Sequence, residues 1–206
     1  MLTVTTAAED YNLLTPAELR QAVGLSGDDA SKDATLAPLG LRVAAAIAQV
    51  CFVAPAGASP PTLRMETVTE TVPTGMRDGL LLSRRPVVAI TSVVEDGAAL
   101  DPGDYEVDPT TAILSRVYGG RCAYWSAGRI VVVYQAGWAA VPHDVKQAAA
   151  MWVQWLYHQA GRDPMLRSEE VPDVYSASWA TPTSRDAPMP AGVPELLAAY
   201  RNAWIA

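Results

Sequence analysis

The apolar positions of this chain predict two helices before a central segment and one long helix after it. Thr15-Pro16-Ala17-Glu18 contains the capping residue, proline and acid with which helices begin, so a short helix is expected over 15–23. Residues 35–53 and 142–160 carry apolar side chains at three- and four-residue steps, which predicts two longer helices with one apolar face each. Those apolar positions are Leu36, Leu39, Val43, Ile47, Val50 and Cys51 in the former and Val145, Ala149, Trp152 and Leu156 in the latter.

Between residues 63 and 138 the apolar period changes to two, which predicts an inserted antiparallel β-sheet. Residues 63–72 alternate with many threonines and valines, and we expect a solvent-facing strand there. Asp96-Gly97 predicts a tight hairpin turn, and Asp108-Pro109-Thr110 predicts a second turn. Further strands are expected over 86–94, 105–107, 112–114 and 129–135.

Residues 162–192 contain five prolines and no sustained period, which indicates an extended arm. The arm ends in a short helix expected over 193–206, with Leu196, Leu197, Tyr200 and Trp204 on one stripe. Burying this stripe contributes about 6–12 kcal/mol, less than the cost of ordering fourteen residues. The stripe therefore needs further contacts, either with its own domain or with a partner.

The predicted fold class is α+β: two N-terminal helices and one long helix form a helical body with an inserted antiparallel β-sheet. This body comprises residues 1–161, and residues 162–206 form the C-terminal arm. The length of 206 residues suits a single domain with an ordinary core.

Charge and cysteine content exclude several classes of function. Fifteen basic residues against twenty-two acidic ones leave a net charge of −7, which opposes tight binding to nucleic acid. Two cysteines are too few for a disulfide framework, which favours a reducing compartment. The N-terminus lacks the basic residues and apolar run of a signal peptide, and no segment approaches about 20 apolar residues, so we expect a soluble protein that is not exported.

The candidate reactive residues do not combine into a catalytic site. His143 and His158 lie about 22 Å apart along the predicted helix and cannot share a metal ion. Cys51 belongs to an apolar helix face, Cys122 has no nucleophile motif around it, and Gly119-Gly120 lacks the lysine and helix of a phosphate loop. Arg84-Arg85 is expected to be a solvated pair, with binding of a phosphate or an acidic partner as the alternative. We expect no enzyme activity, catalytic residue, cofactor or metal site.

Several short motifs occur in an order that resembles the head-tail connector (adaptor) proteins of tailed bacteriophages and gene transfer agents. A Pro-Val strand is followed by a Tyr-x-Val strand, a strand ending in Tyr-x-Ala-Gly-aromatic, a Pro-initiated helix and a helical ending. In this chain the motifs are Pro86-Val87, Tyr105-Glu106-Val107, Tyr134-Gln135-Ala136-Gly137-Trp138, Val141-Pro142-His143-Asp144 and Pro194-Glu195-Leu196-Leu197-Ala198-Ala199-Tyr200-Arg201. The resemblance covers residues 13–206.

This resemblance implies a structural virion protein located in the neck and made in the host cytoplasm. Its subunits would form a ring, expected to be a dodecamer, between the portal protein and a stopper or tail-terminator protein. DNA would pass through the ring during genome ejection without specific binding, and no membrane would be involved. The expected portal contacts are Leu196, Leu197, Tyr200, Arg201 and Trp204. The alternatives are another neck or tail-completion protein and, in a different class, a small soluble hydrolase.

Overall fold

The computed structural model describes residues 1–73, 76–126, 128–160, 168–171, 175–178 and 189–202. Helices and antiparallel sheets are both present, which confirms the α+β class. None of the described helices has the length and hydropathy needed to cross a membrane. The helices are α1 (Pro16–Ala22), α2 (Asp33–Val50), α3 (His143–Gln159) and α4 (Val193–Leu197). The strands are β1 (Leu2–Thr6), β2 (Glu66–Pro73), β3 (Gly79–Leu81), β4 (Val87–Glu95), β5 (Ala98–Ala99), β6 (Tyr105–Asp108), β7 (Ile113–Tyr118), β8 (Arg121–Ala123), β9 (Arg129–Ala136), β10 (Ser168–Val171) and β11 (Tyr175–Ser178).

The chain divides into two compact units. The β unit comprises Met1–Tyr11, Ala48–Val141 and, among the described C-terminal residues, Arg201 and Asn202. The helical unit comprises Asn12–Ile47 and Pro142–Tyr200.

The β unit contains a five-stranded sheet in the order β1-β2-β9-β4-β5 and a second sheet in the order β3-β7-β6, with β8 paired to β7. The strand β9 is the central strand of the five-stranded sheet, and its alternate residues Ile130, Val132 and Tyr134 are fully buried. The core also includes Trp125, whose indole nitrogen donates to the Leu114 carbonyl oxygen at 3.1 Å. A buried indole with a satisfied N–H group stabilises the packing of this core.

Both predicted turns are confirmed. At Asp96-Gly97 both residues have positive φ angles, 49° and 86°, and the turn joins β4 to β5. Such angles suit the tight hairpin turns that follow the twist of the strands. The Asp108 carboxylate accepts hydrogen bonds from Thr110 N at 2.8 Å and Thr111 Oγ1 at 2.7 Å, which orders the turn between β6 and β7.

The helical unit contains α1, most of α2, α3 and α4. The Thr15 and Glu18 side chains form a reciprocal capping box at the start of α1, which confirms the predicted start of this helix. In α2, a Cβ at Gly40 would lie 3.1 Å from Leu19 Cδ2, so the absent side chain permits close approach of α1. Lys146 Nζ of α3 donates to Glu18 Oε1 at 2.7 Å, a half-exposed link between α1 and α3.

The helix α2 begins at Asp33, two residues before the expected start, and Pro38 lies inside it. The earlier start has a local cause: Asp29 caps a short 3₁₀ turn over Ala30–Lys32 that leads directly into the helix. The Arg20 guanidinium also forms an ion pair with the Asp33 carboxylate. Pro38 is thus the sixth residue of α2 and lies beyond its first turn.

Three further elements differ from the sequence-based expectations. The strand β2 is not a solvent-facing strand, because it lies between β1 and β9 and buries Glu66, Val68 and Glu70. The strand β1 was not expected from the threonine-rich start of the chain. Within the predicted extended arm, β10 and β11 form an antiparallel hairpin, while residues 161–167, 172–174 and 179–188 of the arm region lie outside the described residues.

Candidate functional site

The predicted portal-contact residues lie on and after α4, which packs on α3 within the helical unit. Gly192 precedes α4 with a φ of 89°, a left-handed conformation that suits glycine. Val193 and Leu197 are fully buried, whereas Leu196 is half-buried. Each fully buried aliphatic side chain contributes about 1.5–3 kcal/mol, so α4 is held on its own chain by these two residues.

The remaining predicted contact residues follow Leu197. The half-buried Tyr200 donates a hydrogen bond from its hydroxyl to Asp144 Oδ2 at 3.2 Å. Partial burial and the nearby Asp144 carboxylate both raise the pKa of the Tyr200 phenol. Arg201 is exposed, and Trp204 lies outside the described residues. The helical segment ends with a 3₁₀ turn over Ala198–Tyr200, shorter than the helix expected over 193–206.

Asn202 anchors the end of the described C-terminal segment within the β unit. Its backbone N–H donates to the Cys51 carbonyl oxygen at 2.9 Å, and its side-chain amide donates to the Phe52 carbonyl oxygen at 3.2 Å. These carbonyl groups directly follow α2, where the last turn of a helix leaves acceptors without helical partners. Asn202 therefore provides a cap that the sequence pattern did not indicate.

A buried ionic cluster in the β unit is the main polar feature of the core. Arg84 Nη1 lies 3.3 Å from Glu66 Oε2, and both side chains are almost inaccessible to solvent. Tyr11 donates its hydroxyl to Glu66 Oε1 at 3.1 Å, and Arg84 Nη1 donates to the Thr62 carbonyl oxygen at 3.2 Å. Such contacts offset part of the cost of removing the two charges from water.

The second carboxylate of this cluster belongs to Glu70. Its oxygens accept hydrogen bonds from Tyr134 Oη at 2.7 Å, from the Ser83 backbone N–H at 3.0 Å and from the Ser83 hydroxyl. Burial, reinforced by the Glu70 carboxylate, raises the pKa of Tyr134, so its hydroxyl remains protonated and donates to Glu70. The cluster links β2, β9 and the segment that contains Ser83 and Arg84.

The expectation of a solvated Arg84-Arg85 pair is wrong for Arg84. Burial lowers the pKa of its guanidinium, and the Glu66 carboxylate opposes that effect. Its Nη1 contacts Glu66 and donates to the Thr62 carbonyl oxygen. Because the side chain is buried, the guanidinium presents no surface charge to a phosphate. Arg85 is half-buried.

A cavity of about 350 Å³ opens on the β unit beside the cluster. Its charged lining residues are Glu9, Asp10, Arg64 and Glu66, and Arg64 Nε donates to the Asp10 carbonyl oxygen at 3.2 Å. Over the described part of the chain, no group of three or more histidine, cysteine or acidic side chains is arranged to hold a metal ion. The cavity combines both signs of charge and contains no histidine or cysteine.

The structure does not bring the candidate reactive residues together. His143 begins α3 and the exposed His158 lies in its last turn, where its ring forms an edge contact with Tyr157. Cys51 is fully buried, and desolvation raises the pKa of its thiol to about 11, so it is protonated at neutral pH. Cys122 is exposed in β8. A protonated, buried thiol is a poor nucleophile, which leaves Cys51 a packing role.

Comparison with protein-family models finds no match, and comparison with curated proteins finds none either. Solved structures do match over the whole chain. A chain from the neck of an empty gene transfer agent particle, computed with C6 symmetry, is 20% identical with a TM-score of 0.61. A chain from the virion of the native particle is 21% identical with a TM-score of 0.60. A third, from the neck of the native particle computed with C12 symmetry, is 21% identical with a TM-score of 0.59.

Each of these matches covers 100% of this chain and 97% of the other chain. At this identity the comparison shows a shared fold. The neighbours come from gene transfer agent particles, two of them from structures of the neck. They are consistent with the head-tail connector family that the sequence motifs resemble.

Proposed function

We propose that this chain is a structural protein of a virion neck. The observation that carries the proposal is the whole-chain match to gene transfer agent neck structures, which includes the β unit, the helical unit and the C-terminal helix. Among the described residues, the candidate reactive side chains do not form a catalytic site. The two histidines are far apart on α3, and the Cys51 thiol is buried and protonated. A structural role is consistent with both observations.

Within the neck, we assign the chain the position of the adaptor that joins the portal protein to a stopper or tail-terminator protein. The order of the sequence motifs supports this assignment, since it resembles adaptor proteins. The subunits form a ring around the DNA channel, with twelve copies as the expected number. The C12 symmetry of a structure with the same fold supports a symmetric ring.

The C-terminal segment is the proposed portal contact, through Leu196, Leu197, Tyr200, Arg201 and Trp204. In the present arrangement Leu197 is buried against its own unit, while Leu196 and Tyr200 are half-buried and Arg201 is exposed. A portal surface therefore meets Leu196, Tyr200 and Arg201 first, and contact with Leu197 requires α4 to leave α3. Several such contacts around a ring would gain strength by acting together.

The test is attachment of the purified protein to portal-bearing heads. Deleting the whole of α4 removes the buried Val193 and Leu197 and threatens folding, so the sharper variant is Arg201→Glu combined with Leu196→Ser. Glu195→Lys is the matched control, because Glu195 is an exposed charged residue of the same helix. We expect the double variant to lose attachment while its circular dichroism spectrum and that of the control stay unchanged.

Normal attachment by the folded double variant contradicts the proposed portal contact. If the wild-type protein binds purified tail-side neck proteins and not portal-bearing heads, the chain occupies another position in the neck. Failure to bind any neck component contradicts the proposed function itself.

A further inference from the structure

The strand β1 forms an edge of the five-stranded sheet. Among the described residues it pairs with β2 on one side, and the opposite edge of the sheet is β5, which has two residues. An open edge presents a row of backbone N–H and C=O groups that can pair with another strand. The strand Leu2–Thr6 contains neither the lysine nor the proline that commonly protects such an edge.

The register shows which groups face the open side. Met1 and Thr71 exchange two backbone hydrogen bonds of 2.7 Å, and Leu2, Thr3 and Val4 then lie opposite Glu70, Thr69 and Val68. Bonded and non-bonded pairs alternate in an antiparallel ladder, so the N–H and C=O groups of Leu2 and Val4 point away from β2. A bulge follows Val4, so the regular part of this edge offers four backbone groups.

The hairpin β10–β11 has the complementary feature. It forms a separate two-stranded sheet with four residues in each strand. An isolated two-stranded hairpin is marginally stable in water and gains stability from a third strand. A four-residue strand also matches the regular edge next to β2, which runs over four residues from Met1 to Val4.

We propose that the β10–β11 hairpin of one copy pairs with the β1 edge of a second copy. This inference rests on the proposed function, because a ring needs an interface in which two different surfaces of the subunit meet. The edge of β1 and the hairpin are two such surfaces, and each copy has both. The pairing is also compatible with charge: the hairpin contains Glu169 and Glu170, whereas β1 has no charged side chain.

The first experiment compares Val4→Pro with Val4→Ala in the full-length protein. Both variants remove the branched valine side chain, but only proline removes the outward-facing N–H. Proline is tolerated at edge positions whose N–H faces solvent, so the pairing of β1 with β2 should persist. We expect Val4→Pro to raise the concentration needed for assembly about tenfold more than Val4→Ala does, as measured by native mass spectrometry.

The second experiment identifies the two strands by disulfide formation in a Cys122→Ser background. One population carries Thr3→Cys, and the other carries Glu169→Cys in β10 or Ala177→Cys in β11. Paired strands bring Cα atoms to about 4.5–5.5 Å, within the range that a disulfide spans. We expect a mixed disulfide dimer from one of the two hairpin positions, and only when the populations are combined.

The inference is overturned if Val4→Pro and Val4→Ala assemble equally, or if the mixed disulfide is absent at both hairpin positions. It is also overturned if a variant that carries both cysteines in one chain forms the disulfide within that chain. A wild-type protein that stays monomeric at every concentration overturns it as well. The proposed function is judged separately by attachment to portal-bearing heads, so its failure and the failure of the edge pairing are distinguishable.

Discussion

At the scale of single residues, the buried carboxylates of β2 are the least expected feature. Glu66 and Glu70 alternate with threonines, and glutamates are rarely buried unless they are paired. Their partners lie far along the chain: Arg84 and Tyr11 for Glu66, and Ser83 and Tyr134 for Glu70. Burial of this face therefore depends on tertiary pairing, which the alternating pattern of β2 does not contain.

Arg84→Met should destabilise the protein by about 3–5 kcal/mol, because it leaves the buried Glu66 carboxylate without its cation. Adding Glu66→Gln removes the uncompensated charge and should recover part of this loss. The measurement is the free energy of unfolding by chemical denaturation, with Arg42→Ala on the exposed side of α2 as the control, expected within about 0.5 kcal/mol of wild type. A loss below about 1 kcal/mol for Arg84→Met, or no recovery in the double variant, contradicts this role.

The same residue-scale argument explains which site features the sequence could predict. The interpretation of Cys51 as a packing residue follows from the apolar spacing that it continues just after α2, and its complete burial confirms it. The ion pair of Arg84 could not be predicted, because nothing near Arg84 in the sequence distinguishes a buried arginine from a solvated one. The same holds for Asn202, whose acceptors on Cys51 and Phe52 lie about 150 residues earlier.

At the scale of elements, α3 is the structural centre of the helical unit. It contacts α1 and α4, and its buried face comprises Val145, Ala148, Ala149, Trp152 and Val153. The apolar spacing predicted this face, although Leu156 is only half-buried near the end of the helix. Periodicity works here because one continuous stripe of a long helix faces a single core.

Trp152→Ala tests whether that face is well packed. The side chain is 3% exposed, so its removal should leave a cavity and lower the free energy of unfolding by about 3–5 kcal/mol. Gln154→Ala is the matched control on the exposed side of the same helix, with an expected change within about 0.5 kcal/mol. If Trp152→Ala costs less than about 1 kcal/mol in denaturant unfolding, α3 is not the centre of this core.

The elements that the sequence did not reveal share a physical reason. The strand β1 is short and rich in threonine, and it becomes a strand by pairing with β2, about 65 residues later. The strands β10 and β11 lie in a proline-rich region and, among the described residues of one chain, pair with each other. Short strands carry weak periodic signals because their stability comes from partners rather than from local preference. The predicted turn at Asp96-Gly97 is confirmed, because these two residues favour the required backbone angles locally.

At the scale of the whole molecule, the negative charge is consistent with the proposed ring around a DNA channel. The chain carries a net charge of −7, and its core guanidinium at Arg84 is paired with Glu66. Most non-specific affinity for DNA comes from lysine and arginine side chains that neutralise phosphates and release counterions. A ring of subunits with an excess of carboxylates lacks this source of affinity.

We therefore expect no binding of double-stranded DNA by the assembled protein at about 150 mM salt, because like charges repel and bound counterions are not released. Fluorescence anisotropy of a labelled duplex at about 10 μM protein is a suitable measurement, since non-specific DNA-binding proteins reach half-saturation at about 1–100 μM under such conditions. Repeating it at about 10 mM salt, where the Debye length is about 30 Å, controls for screening: an acidic surface should remain unbound there, whereas a hidden basic patch would bind more tightly. Binding that strengthens as salt is lowered would show that the assembled ring presents a basic DNA-contacting surface, in conflict with a channel through which DNA passes freely.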